Sequence, residues 1–145
     1  MEFNVLIVDD SKTIRSVVMR VVEMSGVPVG EFLEAENGAE ALEVVRGNKV
    51  DIILTDINMP VMDGLQFLEE LKKDSGIKNI PVIMVSTEAS ETKITRAVRL
   101  GAEGYIKKPF VPETIREIML KILNKKYGFV PGEDSVAEEG GDLDF

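Results

Sequence analysis

Four short apolar runs organise this chain, and each is followed by residues with polar side chains. The runs are Val5-Leu6-Ile7-Val8, Ile52-Ile53-Leu54-Thr55, Val82-Ile83-Met84-Val85 and Tyr105-Ile106-Lys107. Continuous apolar runs are typical of parallel strands that are buried on both faces, whereas half-exposed strands alternate. The polar residues that follow the four runs are Asp9 and Asp10, Asp56, Ser86 and Lys108.

Helical periods separate these runs. Apolar residues recur at spacings of three and four, which predicts one buried face on each of five helices. These faces are Ile14-Val17-Val18-Val21-Val22, Ala41-Leu42-Val45, Leu65-Leu68-Leu71, Ile94-Ala97-Val98 and Ile115-Ile118-Met119-Ile122. A weaker strand around Phe32 and Leu33 completes a strict alternation of five strands with five helices. This pattern predicts a doubly wound parallel α/β sheet with helices on both faces.

In such a sheet the carboxyl ends of the strands meet at one edge, where open α/β sheets bind ligands. The sequence therefore predicts that three carboxylates, a hydroxyl and an ammonium meet there, which suits a divalent metal ion and a phosphoryl group. Each residue alone has an ordinary explanation as a turn, cap or surface residue. The prediction rests on their occurrence together at the ends of four strands.

The composition narrows the chemistry. The chain of 145 residues has no cysteine and no histidine, which excludes disulfides, thiolate metal sites and the usual general base. Any metal ion must then be held by oxygen, as Mg²⁺, Mn²⁺ and Ca²⁺ are. The net charge of −9 makes nucleic acid a poor partner. We find no signal peptide and no membrane-spanning run, so a cytoplasmic protein without membrane insertion is expected.

Four separated stretches give the chain its resemblance to a known family. They are Val8-Asp9-Asp10-Ser11, Leu54-Thr55-Asp56-Ile57-Asn58-Met59-Pro60-Val61-Met62-Asp63-Gly64, Pro81-Val82-Ile83-Met84-Val85-Ser86 and Gly104-Tyr105-Ile106-Lys107-Lys108-Pro109-Phe110. Over about residues 3 to 125 the chain resembles response-regulator receiver domains, most of all the stand-alone chemotaxis type. The resemblance implies a (βα)5 fold with the flavodoxin-like strand order 2-1-3-4-5. We expect a receiver domain at residues 1–126 and an acidic, flexible tail at residues 127–145.

The resemblance also implies roles at the site. Asp56 would accept a phosphoryl group from a histidine kinase, and Ser86 and Lys108 would contact that group. Mg²⁺, or Mn²⁺ in its place, would be bound by Asp10, by Asp56 and by the backbone carbonyl of the residue two positions after Asp56. Asp9 would contribute through a metal-bound water. The peptide bond that follows Lys108 is expected to be cis.

Three further roles concern the signal. Ser86 and Tyr105 would form the switch, although Tyr105 could simply be an edge-strand aromatic residue. Asn58, which also supplies the metal-binding carbonyl, and Glu88 would tune the phosphoryl lifetime, although both could be ordinary loop residues. The output face would be the fourth helix, the fifth strand and the last helix. Basic residues on the two helices could receive an acidic, apolar peptide, for example from a motor protein or a phosphatase; they are Lys93, Arg96, Arg99, Arg116, Lys121, Lys125 and Lys126.

The expected function is therefore that of a stand-alone response regulator in a two-component phosphorelay, acting in chemotaxis or motility through protein contacts. It would not be an enzyme, apart from slow autodephosphorylation. One alternative is a haloacid-dehalogenase-like phosphatase, which also forms an aspartyl phosphate with Mg²⁺. Those enzymes use a second aspartate two residues after the nucleophile, where this chain has Asn58. A receiver in a relay outside chemotaxis is a second alternative, and a pseudo-receiver, which would need a damaged site, is a third.

Overall fold

The computed structural model describes residues 1–87 and 90–132 of the chain. Five strands alternate with five helices along these residues, as the sequence predicts. The elements are β1 (Phe3–Val8), α1 (Lys12–Ser25), β2 (Val29–Ala35), α2 (Gly38–Gly47), β3 (Ile52–Thr55), α3 (Gly64–Lys73), β4 (Val82–Ser86), α4 (Glu91–Arg99), β5 (Gly104–Lys107) and α5 (Pro112–Tyr127).

The strands form one parallel sheet in the order β2-β1-β3-β4-β5. The predicted fold class and strand order are therefore confirmed. β3 and β4 are buried at every residue, which explains why their sequences are continuously apolar. The two central pairings, β1 with β3 and β3 with β4, bring the strand ends that carry acidic and hydroxyl residues to the same edge.

Two hydrophobic cores cover the two faces of the sheet. Successive residues of a strand point to opposite faces, and the central strands supply both cores in this way. Leu6, Ile53 and Met84 pack with residues of α2, α3 and α4. Ile7 and Leu54, each next in sequence to one of these, pack with residues of α1 and α5. Helices thus cover both faces of the sheet. A ligand site is therefore expected at the carboxyl edge of the sheet.

Two predicted core positions are wrong. Val17 in α1 is 51% exposed and Val98 in α4 is 62% exposed. Each lies directly beside a residue that is buried, namely Val18 and Ala97. One residue corresponds to a rotation of about 100° around a helix axis, which moves these valines off the buried stripe. Four other predicted face residues are only partly buried, namely Ile14, Val21, Ile94 and Ile118.

Helix α5 ends at Tyr127, and the chain that follows it contacts the start of β1. Its C-cap, Gly128, has a φ of 70°, and the ring of Phe129 stacks edge-on against Phe3 at 5.2 Å between centroids. Most of the predicted tail, residues 133–145, lies outside the described residues, so the division into a receiver domain at 1–126 and a flexible acidic tail at 127–145 stays a prediction. Within the described part of the chain, no helix combines the length and apolar character needed to cross a membrane.

Candidate metal and phosphoryl site

The carboxyl ends of β1 and β3 bring the three predicted aspartates together. Val8 is paired with Thr55 across the two strands, so the residues that follow them, Asp9 and Asp56, leave the sheet side by side. Carboxylate oxygens of Asp9, Asp10 and Asp56 all lie within 4.8 Å of one another. Asp9 is buried, Asp56 is intermediate and Asp10 is exposed, so the group opens to solvent on one side.

Asp9 is fixed by hydrogen bonds to both of its carboxylate oxygens. Its Oδ1 accepts a hydrogen bond from the Ser11 backbone N–H at 2.9 Å. Its Oδ2 accepts one from Lys108 Nζ at 3.0 Å. Ser11 is also the N-cap of α1, because its hydroxyl accepts from the backbone N–H of Ile14. The loop from β1 to α1 is thereby tied to the helix start, and the aspartates sit on a short, constrained segment.

Asp56 follows β3 and is held by backbone contacts. Its N–H donates to the carbonyl of Val8 at 2.9 Å, and its Oδ1 accepts from the N–H of Ile57 at 2.7 Å. Helix α3 begins at Gly64 directly behind it. A Cβ at Gly64 would overlap the carbonyl oxygen of Asp56 and would lie 2.9 Å from the Cα of Ile57. Only glycine permits this approach, which fixes the β3–α3 loop against Asp56.

Lys108 extends from the end of β5 across the site. Its backbone N–H donates to the carbonyl of Ser86 at 2.9 Å, which ties it to the end of β4. Its ammonium lies 3.0 Å from Asp9 and 3.7 Å from Asp56, with 17% of the side chain exposed. The Lys108–Pro109 peptide bond is cis, as expected. One ammonium therefore lies between two of the three carboxylates.

The donor set fits a hard divalent cation. The group consists only of carboxylates, and one of them faces solvent. Mg²⁺ favours such oxygen ligands and keeps several waters when it binds to proteins. Clustered carboxylates repel one another, and a bound cation relieves this repulsion. The residues present are therefore compatible with Mg²⁺ at this edge of the sheet.

Two further residues at the site were missed from the sequence. Arg15 in α1 donates from Nη1 to the backbone carbonyl of Asp9 at 2.6 Å. The same guanidinium donates from Nε to Glu34 in β2 at 2.8 Å. The predicted strand order could have indicated Glu34, because β2 lies next to β1 and Glu34 is paired with Ile7 near the end of β1.

Three of the four predicted switch and lifetime residues, Ser86, Tyr105 and Asn58, are described by the structure. Ser86 is buried at the end of β4, and the Tyr105 hydroxyl is 3.5 Å from its backbone carbonyl oxygen. Asn58 is exposed in the β3–α3 loop, and its Oδ1 accepts from Lys93 Nζ of α4 at 3.1 Å. Glu88 lies outside the described residues. The roles of these residues stay predictions.

One basic residue expected near the output face lies elsewhere. Arg116 in α5 donates to the backbone carbonyl of Ser25 at 2.8 Å, so its guanidinium faces α1. The Lys126 ammonium instead lies 3.5 Å from Glu103, next to β5. The two positions are about 80° apart around the helix axis, and their side chains contact different elements.

Comparison with known proteins identifies the family. The family model for the response regulator receiver domain matches residues 5–120. The chain belongs to the response-regulator receiver family. Receiver domains are signalling domains, and the fold and the acidic edge described above agree with this assignment. The haloacid-dehalogenase-like alternative is not favoured.

Relatives of this receiver include chemotaxis proteins. It is 37% identical over 119 residues to chemotaxis protein CheY1 of Helicobacter pylori, with 81% of this chain and 94% of that protein covered. The structure of Vibrio cholerae CheY4 is 36% identical, with a TM-score of 0.71 and coverage of 87% and 99%. A structure from Borrelia burgdorferi, of a CheX–CheY–BeF3–Mg²⁺ complex, is 29% identical, with a TM-score of 0.74 and coverage of 83% and 89%.

Proposed function

We propose that this receiver is a phosphorylation-controlled signalling protein whose phosphoacceptor is Asp56. The observation that carries the proposal is the position of the Asp56 carboxylate. It lies within 4.8 Å of two further carboxylates and 3.7 Å from the Lys108 ammonium. This arrangement provides a nucleophile, a cation site and a fixed positive charge together, which phosphoryl transfer requires.

The phosphodonor we infer is a histidine kinase. A carboxylate oxygen of Asp56 attacks the phosphorus atom, the bond from phosphorus to the donor's histidine nitrogen breaks, and that nitrogen regains a proton. In hydrolysis a water attacks the phosphorus, the bond to Asp56 breaks, and inorganic phosphate leaves. The absence of histidine from this chain is compatible with this scheme because the donor brings its own.

The residues around Asp56 divide the remaining work. Lys108 approaches the transferred group from the end of β5, and Ser86 approaches it from the end of β4. Asp10, Asp56 and the Asn58 carbonyl would hold Mg²⁺, with Asp9 acting through water. When bound, Mg²⁺ neutralises charge on the phosphoryl oxygens. Asp9 also holds Lys108 in position before transfer, through their 3.0 Å ion pair.

The output follows from the contacts of Ser86. Its backbone carbonyl lies 3.5 Å from the Tyr105 hydroxyl, so a movement of Ser86 toward a phosphoryl group changes the surroundings of Tyr105. A hydrogen bond to a charged group contributes roughly 1.5–3 kcal/mol. If it forms only in the phosphorylated state, it shifts a two-state equilibrium about ten- to a hundredfold. We infer that the altered face of α4, β5 and α5 then binds a target protein.

We place the signal in chemotaxis because relatives with this sequence similarity are chemotaxis proteins. The partners are then a chemotaxis kinase and a motor or phosphatase peptide. Phosphotransfer profiling tests this point: the receiver is offered phosphorylated kinases from chemotaxis and from other circuits of its host. Fast transfer from the chemotaxis kinase supports the assignment. Fast transfer only from another kinase moves the protein to a different relay.

The phosphoacceptor is tested by intact mass after incubation with acetyl phosphate and Mg²⁺. We expect a single phosphoryl adduct that needs the metal and decays spontaneously. It should be lost in Asp56→Asn and kept in Asp74→Asn, a carboxylate variant at the end of α3. A wild-type protein that is folded and binds Mg²⁺ but forms no adduct would be a pseudo-receiver. An adduct that persists in Asp56→Asn would assign the phosphoacceptor to another residue.

A further inference from the structure

A largely buried guanidinium, that of Arg15, lies beside the acidic cluster and has no part in the phosphoryl chemistry proposed above. The Arg15 side chain is only 12% exposed, and it makes two short hydrogen bonds in different directions. Nη1 donates to the Asp9 backbone carbonyl at 2.6 Å, and Nε donates to the Glu34 carboxylate at 2.8 Å. The planar fork of arginine suits this task, whereas a lysine ammonium could not hold both partners in the same geometry.

The first of these bonds acts on the peptide that joins the two adjacent aspartates. The carbonyl of Asp9 belongs to the Asp9–Asp10 peptide, so its direction fixes the orientation of the backbone from which Asp10 projects. The Asp9 N–H donates to the carbonyl of Ala35 at the end of β2. The backbone N–H of Asp9 is thus bonded to β2, and its backbone carbonyl is bonded to Arg15 of α1.

The second bond anchors Arg15 itself. Glu34 lies in β2, one residue before Ala35, and is paired with Ile7 of β1. It accepts from Nε, which leaves Nη1 aimed at the Asp9 carbonyl. Arg15 therefore joins three elements: the end of β2, the first turn of α1 and the β1–α1 loop.

We propose that Arg15, oriented by Glu34, is a positioning residue for the Mg²⁺ site. It holds the Asp9–Asp10 peptide so that both carboxylates face Asp56. The inference rests on the proposed function, in which Asp10 and Asp56 bind the metal. Residues that orient metal ligands typically contribute 10- to 100-fold to metal affinity. Arg15 belongs to α1 and Glu34 belongs to β2. The affinity for Mg²⁺ therefore depends on how α1 and β2 pack against β1.

A purely electrostatic role and a purely structural role for Arg15 predict different results. If it acts only through its charge, it repels Mg²⁺. Removing the charge would then tighten metal binding, and Arg15→Lys would change nothing. If it acts only in folding, substitutions would lower stability and leave the metal affinity of the folded protein unchanged. Positioning predicts weaker binding in Arg15→Lys, with the charge kept, and in Arg15→Gln, with the charge removed.

The test is calorimetric titration of the full chain with Mg²⁺, together with thermal unfolding in the absence of metal. We expect Arg15→Lys and Arg15→Gln to weaken binding about tenfold or more. Glu34→Gln should weaken it by a smaller factor, because Arg15 keeps its bond to Asp9. The control is Arg46→Lys, since Arg46 makes the same type of bond from Nε to a carboxylate, at 3.1 Å, on a distant surface. It should bind Mg²⁺ as the wild type does.

A second readout separates positioning from a catalytic role. At saturating Mg²⁺ the phosphorylation rate with acetyl phosphate should stay within about twofold of the wild type, so that the change lies in the metal dependence. Unchanged affinity in Arg15→Lys, or tighter binding in Arg15→Gln, would overturn the inference while leaving the proposed function intact. A wild-type chain that binds no Mg²⁺ would instead overturn the proposed metal site and the inference with it.

Glu34→Gln keeps the test decisive if both arginine variants fail to fold. Loss of this partly exposed carboxylate could weaken Mg²⁺ binding through charge alone, and salt screens such an effect. Under positioning, the loss of affinity relative to the wild type should persist at 0.5 M KCl, roughly where the screening length falls below 5 Å. Disappearance of the difference at high salt would contradict positioning.

Discussion

Replacing Val61 by asparagine should stabilise this protein. Val61 lies in the loop from β3 to α3, and its φ is 68°. The left-handed region is unfavourable for residues with a Cβ, and most of all for β-branched ones. Strained residues of this kind often lie next to functional sites, and this loop also carries Asn58. The strain should be removable without loss of packing, because Val61 is 83% exposed.

The expected size follows from two opposing contributions. The left-handed conformation costs a residue with a Cβ roughly 1–2 kcal/mol, and asparagine tolerates this conformation far better than valine. The loss of apolar burial is small at 83% exposure. We therefore expect Val61→Asn to raise the free energy of unfolding by about 1 kcal/mol, which corresponds to roughly 3–5 °C in Tm for a domain of this size. Val61→Gly should gain less, because glycine increases the entropy of the unfolded chain.

The assay is urea and thermal unfolding of the two variants with a matched control. Val130→Asn is suitable, since Val130 is 44% exposed and is absent from the positive-φ residues of the described chain. It should change stability by no more than about 0.5 kcal/mol. If Val61→Asn destabilises the protein, or changes it only as much as Val130→Asn does, the strain at Val61 is not what limits stability and the reasoning is refuted.

Three further predictions concern the site and the two ends of α5. Lys108→Met should bind Mg²⁺ at least about fivefold more tightly, since roughly 1 kcal/mol or more of competing charge attraction is removed. The same variant should accept a phosphoryl group more slowly, and calorimetry showing equal or weaker Mg²⁺ affinity would contradict the competition. Val111→Asn should stabilise the protein by about 1 kcal/mol in urea unfolding, because Val111 is the N-cap of α5 in extended conformation and makes no capping hydrogen bond; an unchanged midpoint would count against it. Burial, followed by the charges of Asp51 and Glu103, raises the pKa of Tyr127 to about 12. The stability that this pKa shift contributes is therefore complete below about pH 10 and is lost as the pH rises from about 10 to 12. Tyr127→Phe should remove this loss when the free energy of unfolding is measured across that range. An unchanged pH profile would exclude Tyr127 as the source of the loss.

The fold could be predicted because its signals are local. Strands such as Ile52–Thr55 are apolar at almost every position, and this follows from burial on both faces. Helix faces were predicted less well at their edges, as Val17 and Val98 illustrate, because the period gives the direction of a stripe and not its width. The side chains at strand ends were grouped correctly, since parallel order alone brings Asp9 and Asp56 to one edge.

The residues that sequence analysis missed act through contacts that no periodic pattern in the sequence indicates. Arg15 resembles any exposed helical arginine until its distances to Asp9 and Glu34 are known. Its sequence separation from Glu34 carries no periodic signal, and its partner at Asp9 is a backbone atom with no side-chain identity. The positive φ of Val61 was missed as well, because no residue in the Pro-Val-Met segment indicates such a conformation.

The charges at the site suggest why one lysine can serve both resting and phosphorylated states. In the structure the Lys108 ammonium lies between Asp9 and Asp56, so it is shared by two of the three carboxylates. A bound divalent cation would satisfy those carboxylates and weaken their hold on the ammonium. A phosphoryl group on Asp56 would then present new negative charge to the same side chain. Because the Lys108 backbone is bonded to Ser86, each exchange of partner by the ammonium is expected to act on the end of β4 as well.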